Sequence, residues 1–475
     1  MNPLILPVEE YRDTYLHIAQ LALDFLGTID QRRCFPDISG DESVSLFAQP
    51  LPEHGMGPTA LEILDKVIDA SRPPSPRFFG YVLGSGEPIA AAADLLVSVL
   101  NQNTTSWRSG PAAACIEQLV TEWLAQAIAC PGFFGILTGG GSSANLTALA
   151  MAREARLPAN EHGVCQPGTV YASEQVHMSI PKAIALLGIG RDHLRLIPCD
   201  ENYRINLDLL QRSIEADIGT GKTPISIVAT AGTVATGSID PLREMAAVAK
   251  DAGAWFHVDG AYGALAAIAR PAQFDGMDLA DSISLDPHKW LYQPLDCGCL
   301  LFRDQSQARR TFSFTGDYAK SLQENPVESF AFFEQSVELS RRFRALKLWL
   351  SLRYHGLSSF RQQIENDLEC AKHLGSLIEA NSEMELLAPV PLSAVCFRYA
   401  PRSSGLSAMQ VDELNLRILT SIQRRGHVYI SNATIRDRFA LRACIVNHRT
   451  TPTDVAQVVN EVVDVGRELS SRTQS

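Results

Sequence analysis

Asp281-Ser282-Ile283-Ser284-Leu285-Asp286-Pro287-His288-Lys289-Trp290-Leu291, running on to Asp296-Cys297-Gly298-Cys299, is the stretch on which the reading of the fold turns. Ser282–Leu285 reads as a buried strand, and Pro287 marks the turn that leaves it. Lys289 follows directly after His288 on that turn. A lysine held there sheds solvent and is placed to act as an amine nucleophile, which is what a Schiff-base lysine requires. About thirty residues upstream, Trp255-Phe256-His257-Val258-Asp259-Gly260-Ala261-Tyr262 brings an acid to the end of another strand.

Outward from these two runs, short apolar segments alternate with helical ones from about Phe133 to Arg303. Strands are predicted at Gly168–Ala172, Ser226–Thr230, Ala254–Val258, Ser282–Leu285 and Gly298–Phe302. Helices are predicted at Ser143–Arg156, Ile180–Gly188, Leu207–Gly219 and Pro241–Ala252. Alternation of this kind means a mainly parallel sheet covered on both faces, with ligands bound beyond the C-terminal ends of its strands. His177, Asp259 and Lys289 all follow predicted strands and so can converge there.

Ahead of this region, Tyr11–Gly27 carries apolar residues on more than one helical face, a pattern that asks for partners on several sides. Ile89–Leu100 and Ile116–Ala129 read as buried helices. After about Ser351 a helical stretch leads to Val395–Tyr399, a helix near Val411–Gly426, and apolar runs at Val428–Ile430 and Phe439–Ile445. That pattern predicts a small α+β unit.

The 475 residues exceed one ordinary core, and 41 basic against 53 acidic side chains give a net charge of −12. Such a balance argues against broad nucleic-acid binding. No run approaches the length needed to cross a bilayer, and the N-terminus carries neither a basic start nor a long apolar core. A cytoplasmic protein without membrane or nucleic-acid partners is the expectation. The ten cysteines show no metal-ligand spacing, so no metal is expected. Cys297 and Cys299 read as buried, reduced thiols.

The His-Val-Asp run at 257–259 together with Pro-His-Lys-Trp at 287–290 resembles the pyridoxal-phosphate-dependent amino acid decarboxylases of group II, which include aromatic-L-amino-acid and glutamate decarboxylases. The resemblance extends from about Tyr11 into the C-terminal region. It implies a fold type I, PLP-dependent transferase-like α/β architecture with a mainly parallel seven-stranded sheet. It divides the chain into a helical N-terminal segment (1–110) serving dimerisation and part of the substrate pocket, a large cofactor-binding domain (111–350), and a small C-terminal α+β domain (351–475). A homodimer with active sites at the subunit interface is implied as well, acting on a small L-amino acid.

Several residues gain roles from this likeness. Gly139-Gly140-Gly141-Ser142-Ser143-Ala144-Asn145 follows an apolar run and opens a helix, where glycines admit an anion to free N–H groups. Gly141 and Ser142 are the implied phosphate contacts. Asp259 is the implied partner of the protonated pyridine nitrogen. A carboxylate ~4 Å from a cation is worth about 4 kcal/mol at an effective dielectric of ~20, roughly three pKa units, enough to keep that ring charged. Ala261 lies against one ring face, and His177 is the stacking histidine. Lys289 carries pyridoxal 5'-phosphate as the Schiff base, with His288 beside it contacting phosphate or substrate or positioning the lysine. Asp286 stands where some relatives carry a phosphate-contacting asparagine; an aspartate would repel phosphate, so it is expected outside the cofactor shell.

Tyr318, in a glycine-containing stretch that reads as a loop, is the implied proton donor to the carbanion left by CO₂. Relatives with phenylalanine at that position form aldehydes instead, so tyrosine favours simple decarboxylation. The implied substrate pocket comprises Phe79, Tyr81, Val82, Thr105 and Ser340. Ser340 resembles members acting on phenolic substrates. Val82 and Thr105 depart from the bulkier residues frequent in aromatic members, and Val234 replaces a threonine of the family's Gly-Thr-Thr. The expected reaction is α-decarboxylation of an L-amino acid, foremost an aromatic one of the tyrosine, phenylalanine, tryptophan or dihydroxyphenylalanine type. A glutamate, aspartate, cysteine sulfinate or diaminobutyrate decarboxylase is the alternative, and an aromatic aldehyde synthase a further one.

Overall fold

The computed structural model describes residues 4–314, 325–401 and 405–473. The chain opens with α1 (Val8–Thr28), α2 (Gly40–Phe47), α3 (Leu64–Ala70), α4 (Pro88–Leu100) and α5 (Pro111–Ala127). Glu9 and Glu10 occupy the first turn of α1, where carboxylates meet the positive end of the helix. Ser39 and Glu42 form a capping box at α2. The Glu87 carboxylate caps α4 by accepting from the N–H groups of Ile89 and Ala90.

α1 buries none of its residues within the chain. α4, expected to be buried, hides only Ala90, Ala93 and Val97, while Leu95, Leu96, Val99 and Leu100 face outward. Apolar content alone could not reveal that, among the described residues, one face of this helix is left exposed.

The central sheet contains β1 (Phe134–Thr138), β2 (Gly168–Ser173), β3 (Leu194–Ile197), β4 (Thr223–Thr230), β5 (Trp255–Asp259), β6 (Ser282–Leu285) and β7 (Gly298–Phe302). Their order is β1-β7-β6-β5-β4-β2-β3. The pairs from β3 through β6 are parallel, and β7 runs antiparallel to both β6 and β1. β5, β6 and β7 are buried at every position, as strands covered on both faces must be. The two strands not predicted from the sequence are β1 and the edge strand β3.

Helices α6 (Gly141–Arg156), α7 (Ser179–Leu186), α8 (Leu207–Gly219) and α9 (Leu242–Asp251) connect the parallel strands, and the one-turn helix α10 (Pro287–Trp290) joins β6 to β7. Trp290 is fully buried and stacks on Tyr262 at 5.9 Å between ring centroids, which fixes the turn that carries Lys289. Beyond β7 come α11 (Gln305–Phe312), α12 (Ala345–His355) and α13 (Leu357–Ala380). The C-terminal part pairs β8 (Met384–Leu386), β9 (Ala394–Tyr399), β10 (Ser431–Ile435) and β11 (Arg438–Cys444) in an antiparallel sheet of order β10-β11-β9-β8, packed with α14 (Ala408–Arg425) and α15 (Pro452–Thr473). Val428–Ile430 lies just before β10 rather than forming a strand: Val428 and Ile430 sit in the small core, and Tyr429 makes a single bridge to Phe78. Among the described residues no helix is long and apolar enough to cross a membrane.

Candidate active site

The C-terminal ends of β2, β5 and β6 and the start of α6 meet at one cleft of about 990 Å³. Gly141, Ser142, His177, Asp259, Ala261, His288 and Lys289 all line it, so the residues singled out from sequence converge. Tyr81 and Val82 also line it, on a strap that crosses behind α10. Gly84 in that strap lies so close that a Cβ there would collide with the His288 carbonyl oxygen.

Lys289 Nζ is 2.9 Å from Asp286 Oδ2. Asp286 is therefore in the cleft, not outside it. The helical turn of α10 brings its carboxylate beneath the lysine, and its Oδ1 is buried with no hydrogen-bond partner among the described residues. His288 donates from Nδ1 to the Cys297 carbonyl at 2.8 Å, leaving Nε2 as its acceptor, 3.6 Å from Asp286 Oδ2. Burial holds the His288 imidazole below its ordinary range, in the neutral form.

Asp259 is held by three donors. Asn145 Nδ2 reaches Oδ2 at 2.8 Å, and the Ala261 N–H and the Ser284 hydroxyl each reach Oδ1 at 3.2 Å. β5 and β6 pair His257 with Ser282 and Asp259 with Ser284, so polar side chains alternate along one sheet face beneath α6. His177 accepts from the Ser179 N–H at 3.2 Å through Nδ1, and burial lowers its pKa. Asn145, Ser179 and His257 are site residues that sequence reading missed. The available signal was spacing: His257 lies two residues before Asp259 on a strand, and Asn145 lies four after Gly141 on a helix.

The remaining expectations divide. Phe79 is fully buried in the core of the C-terminal unit and does not line the cleft. Tyr81 takes φ +59°, and this left-handed turn breaks the alternation that would have put both rings on one side. Thr105 and Ser340 lie on adjoining segments away from the cleft of their own chain, tied together where the Thr104 N–H donates to the Arg341 carbonyl at 2.8 Å. Tyr318 lies outside the described residues. Cys297 and Cys299 are buried free thiols, and burial pushes Cys297 up to about 12. Among the described residues no group of three or more His, Cys, Asp and Glu is placed to hold a metal ion.

The donor set fits pyridoxal 5'-phosphate. A Cβ on Gly141 would strike the Ala261 methyl, so this helix start is a bare-backbone cradle. An amine stands beside it, and a buried carboxylate stands at a neighbouring strand end.

The pyridoxal-dependent decarboxylase conserved domain matches residues 62–400. An aromatic-L-amino-acid decarboxylase of Bacillus atrophaeus is 33% identical over 473 residues, covering 98% of each chain. A phenylacetaldehyde synthase of Petunia hybrida is 31% identical over 78% of this chain and 76% of its own. Among solved structures, Oryza sativa TDC with PLP and tryptamine superposes with a TM-score of 0.92 at 27% identity, covering 99% of this chain and all of that one.

Proposed function

The chain belongs to the pyridoxal-dependent decarboxylase family, and on that premise we propose that it converts an aromatic L-amino acid to its amine and CO₂. The observation that carries this reading is the likeness to the Bacillus atrophaeus enzyme along the full length of both chains. Tyr81, which lines the cleft and packs against buried Phe78 and Tyr429, supports it.

When bound, pyridoxal 5'-phosphate supplies an aldehyde that takes the substrate amine and a protonated ring that withdraws electrons from the bond to be broken. Lys289 Nζ would hold the cofactor covalently and yield that position to the substrate. Gly141 and Ser142 would offer helix-start N–H groups to the phosphate, and His288, held through Nδ1 by the Cys297 carbonyl, would position the neighbouring lysine. Asp259, fixed by its three donors, keeps a proton on the ring nitrogen. Ala261 and His177, which line the cleft, would flank the ring, and neutral His177 would present a donor toward the substrate carboxylate. Tyr318 is the assigned proton donor to the α-carbon on the strength of the family resemblance.

The division at residues 110 and 350 is part of the same proposal, as is a homodimer. The bare α1 and the outward leucines of α4 support the dimer, because an apolar face of that extent asks for cover. Thr105 and Ser340 would then serve the partner's cleft. A cytoplasmic location is part of the same proposal and is tested by fractionation.

A substrate with an acidic side chain is the second reading. Arg442 is buried and lines the cleft, and its Nη2 has no hydrogen-bond partner among the described residues. A panel of L-amino acids assayed together for CO₂, ammonia and peroxide separates the possibilities. Amine and CO₂ from tyrosine, phenylalanine, tryptophan or dihydroxyphenylalanine are expected. Turnover confined to glutamate, aspartate or their analogues would overturn the aromatic assignment, and ammonia with peroxide would indicate an aldehyde synthase.

A further inference from the structure

Beneath the cleft, Asn145 touches the carboxylate of Asp259, the hydroxyl of Ser179 and the imidazole of His257. It is 1% exposed. Its Nδ2 lies 2.8 Å from Asp259 Oδ2 and 2.9 Å from Ser179 Oγ, and its Oδ1 lies 3.0 Å from His257 Nε2. We propose that Asn145 is a positioning residue that couples Asp259, through Ser179, to half-buried His177, dictates which nitrogen of buried His257 carries the proton and reinforces the tautomer of His177. This rests on Asp259 and His177 being the cofactor-ring contacts.

The chain of hydrogen bonds has one consistent direction. An ionised Asp259 only accepts, so the Asn145 amide must turn its N–H groups toward it. Its oxygen then faces His257, whose Nε2 must carry the hydrogen. The other nitrogen, Nδ1, is left to accept from the Ser282 hydroxyl at 2.9 Å, and the Ser282 carbonyl, 3.2 Å from the same nitrogen, then receives no hydrogen from it. Ser282 Oγ in turn accepts from the Trp255 indole N–H at 2.8 Å, a group that can only donate. Burial pushes His257 down to about 4, which agrees with a single ring proton.

The second branch runs to the cleft. Ser179 Oγ accepts the other Asn145 N–H, which frees its own hydrogen for His177 Nδ1 at 2.9 Å. The Ser179 backbone N–H reaches the same nitrogen at 3.2 Å. With Nδ1 accepting from both, neutral His177 keeps its proton on Nε2. A single amide thus aims the ring-nitrogen carboxylate and prepares the stacking histidine as a donor. Leucine in its place would fill the space and take one hydrogen-bond partner from each of Asp259, His257 and Ser179.

The test uses the full-length protein. Selective ¹⁵N-histidine NMR of the wild type, with signals assigned by His177→Gln and His257→Gln, reads the tautomers directly. Nε2–H on both is expected, and Nδ1–H on either overturns the proposal. Asn145→Asp, which keeps shape but removes the N–H donors, and Asn145→Leu are each expected to weaken binding of added pyridoxal 5'-phosphate to the apoprotein about tenfold or more, the worth of a lost hydrogen bond to a charged group. They should lower kcat with little change in KM and shift the histidine tautomers. Ser179→Ala should alter the His177 signal while leaving that of His257 in place. Wild-type affinity and tautomers in folded Asn145 variants overturn the proposal, whereas loss of thermal stability alone would assign Asn145 a merely structural role and overturn it equally. Asp259→Asn is the control: if it leaves cofactor affinity and the absorption band unchanged, the ring assignment itself fails, separately from the role of Asn145.

Discussion

Lys289 Nζ and Asp286 Oδ2 stand 2.9 Å apart across the single turn of α10, so the amine that would hold the cofactor is tied to a buried carboxylate in the protein alone. That carboxylate also borders Gly141 at the phosphate cradle. Covalent attachment must break the pair, and an arriving phosphate meets a like charge. Asp286→Asn removes both obstacles. It is expected to tighten pyridoxal 5'-phosphate binding by about tenfold, or ~1.4 kcal/mol, measured by titration of the apoprotein. Weaker binding would mean that Asp286 assists the cofactor.

A second expectation concerns the frame of the cleft. Arg341 and Glu117 form a fully buried ion pair; Arg341 also donates to the Thr104 and Leu137 carbonyls at 2.8 Å, and Glu117 accepts the Leu137 N–H at 2.9 Å. The pair binds α5, β1 and the segment before α12 together. Glu117→Ala leaves the guanidinium buried without its partner and is expected to cost about 3–5 kcal/mol in denaturant unfolding. A loss below ~1 kcal/mol would contradict this account of the frame.

Acid sensitivity follows from two rings, buried His257 and partly buried His448. His257 and His448 are each pushed down to about 4 by desolvation, against ~6.5 in an unfolded chain. As pH falls, the unfolded chain takes up these protons first. Stability present above pH ~6.5 is therefore lost progressively toward pH ~4, by on the order of 3 kcal/mol for each ring. Thermal midpoints measured from pH 7.5 to pH 4.5 should fall, and His448→Gln should flatten the slope. A midpoint indifferent to pH would contradict the buried neutral state.

Much of this was legible in the chain. Ser282–Leu285 and Gly298–Phe302 are strands at the predicted bounds, because buried strands bounded by turn residues announce themselves. Asp259, His177 and Lys289 could be placed at strand ends, and they do meet. The supporting layer stayed hidden for a physical reason: Asn145 reaches Asp259 from a helix 114 residues away, and only the packing of α6 on the sheet brings them together. Phe79, assigned to the pocket by resemblance, instead packs into the core of the C-terminal unit, while Tyr81 two residues on turns into the cleft through a left-handed backbone. The outward face of α4 reads as core in sequence, since its leucines are apolar whichever molecule covers them.

The central claim is that Lys289 holds the cofactor. Borohydride reduction of the protein loaded with pyridoxal 5'-phosphate, followed by peptide mapping, tests it most directly. The label is expected on the peptide containing Pro287-His288-Lys289-Trp290 and is expected to vanish in Lys289→Ala. A label retained in that variant, or found on another lysine in the wild type, would contradict the account.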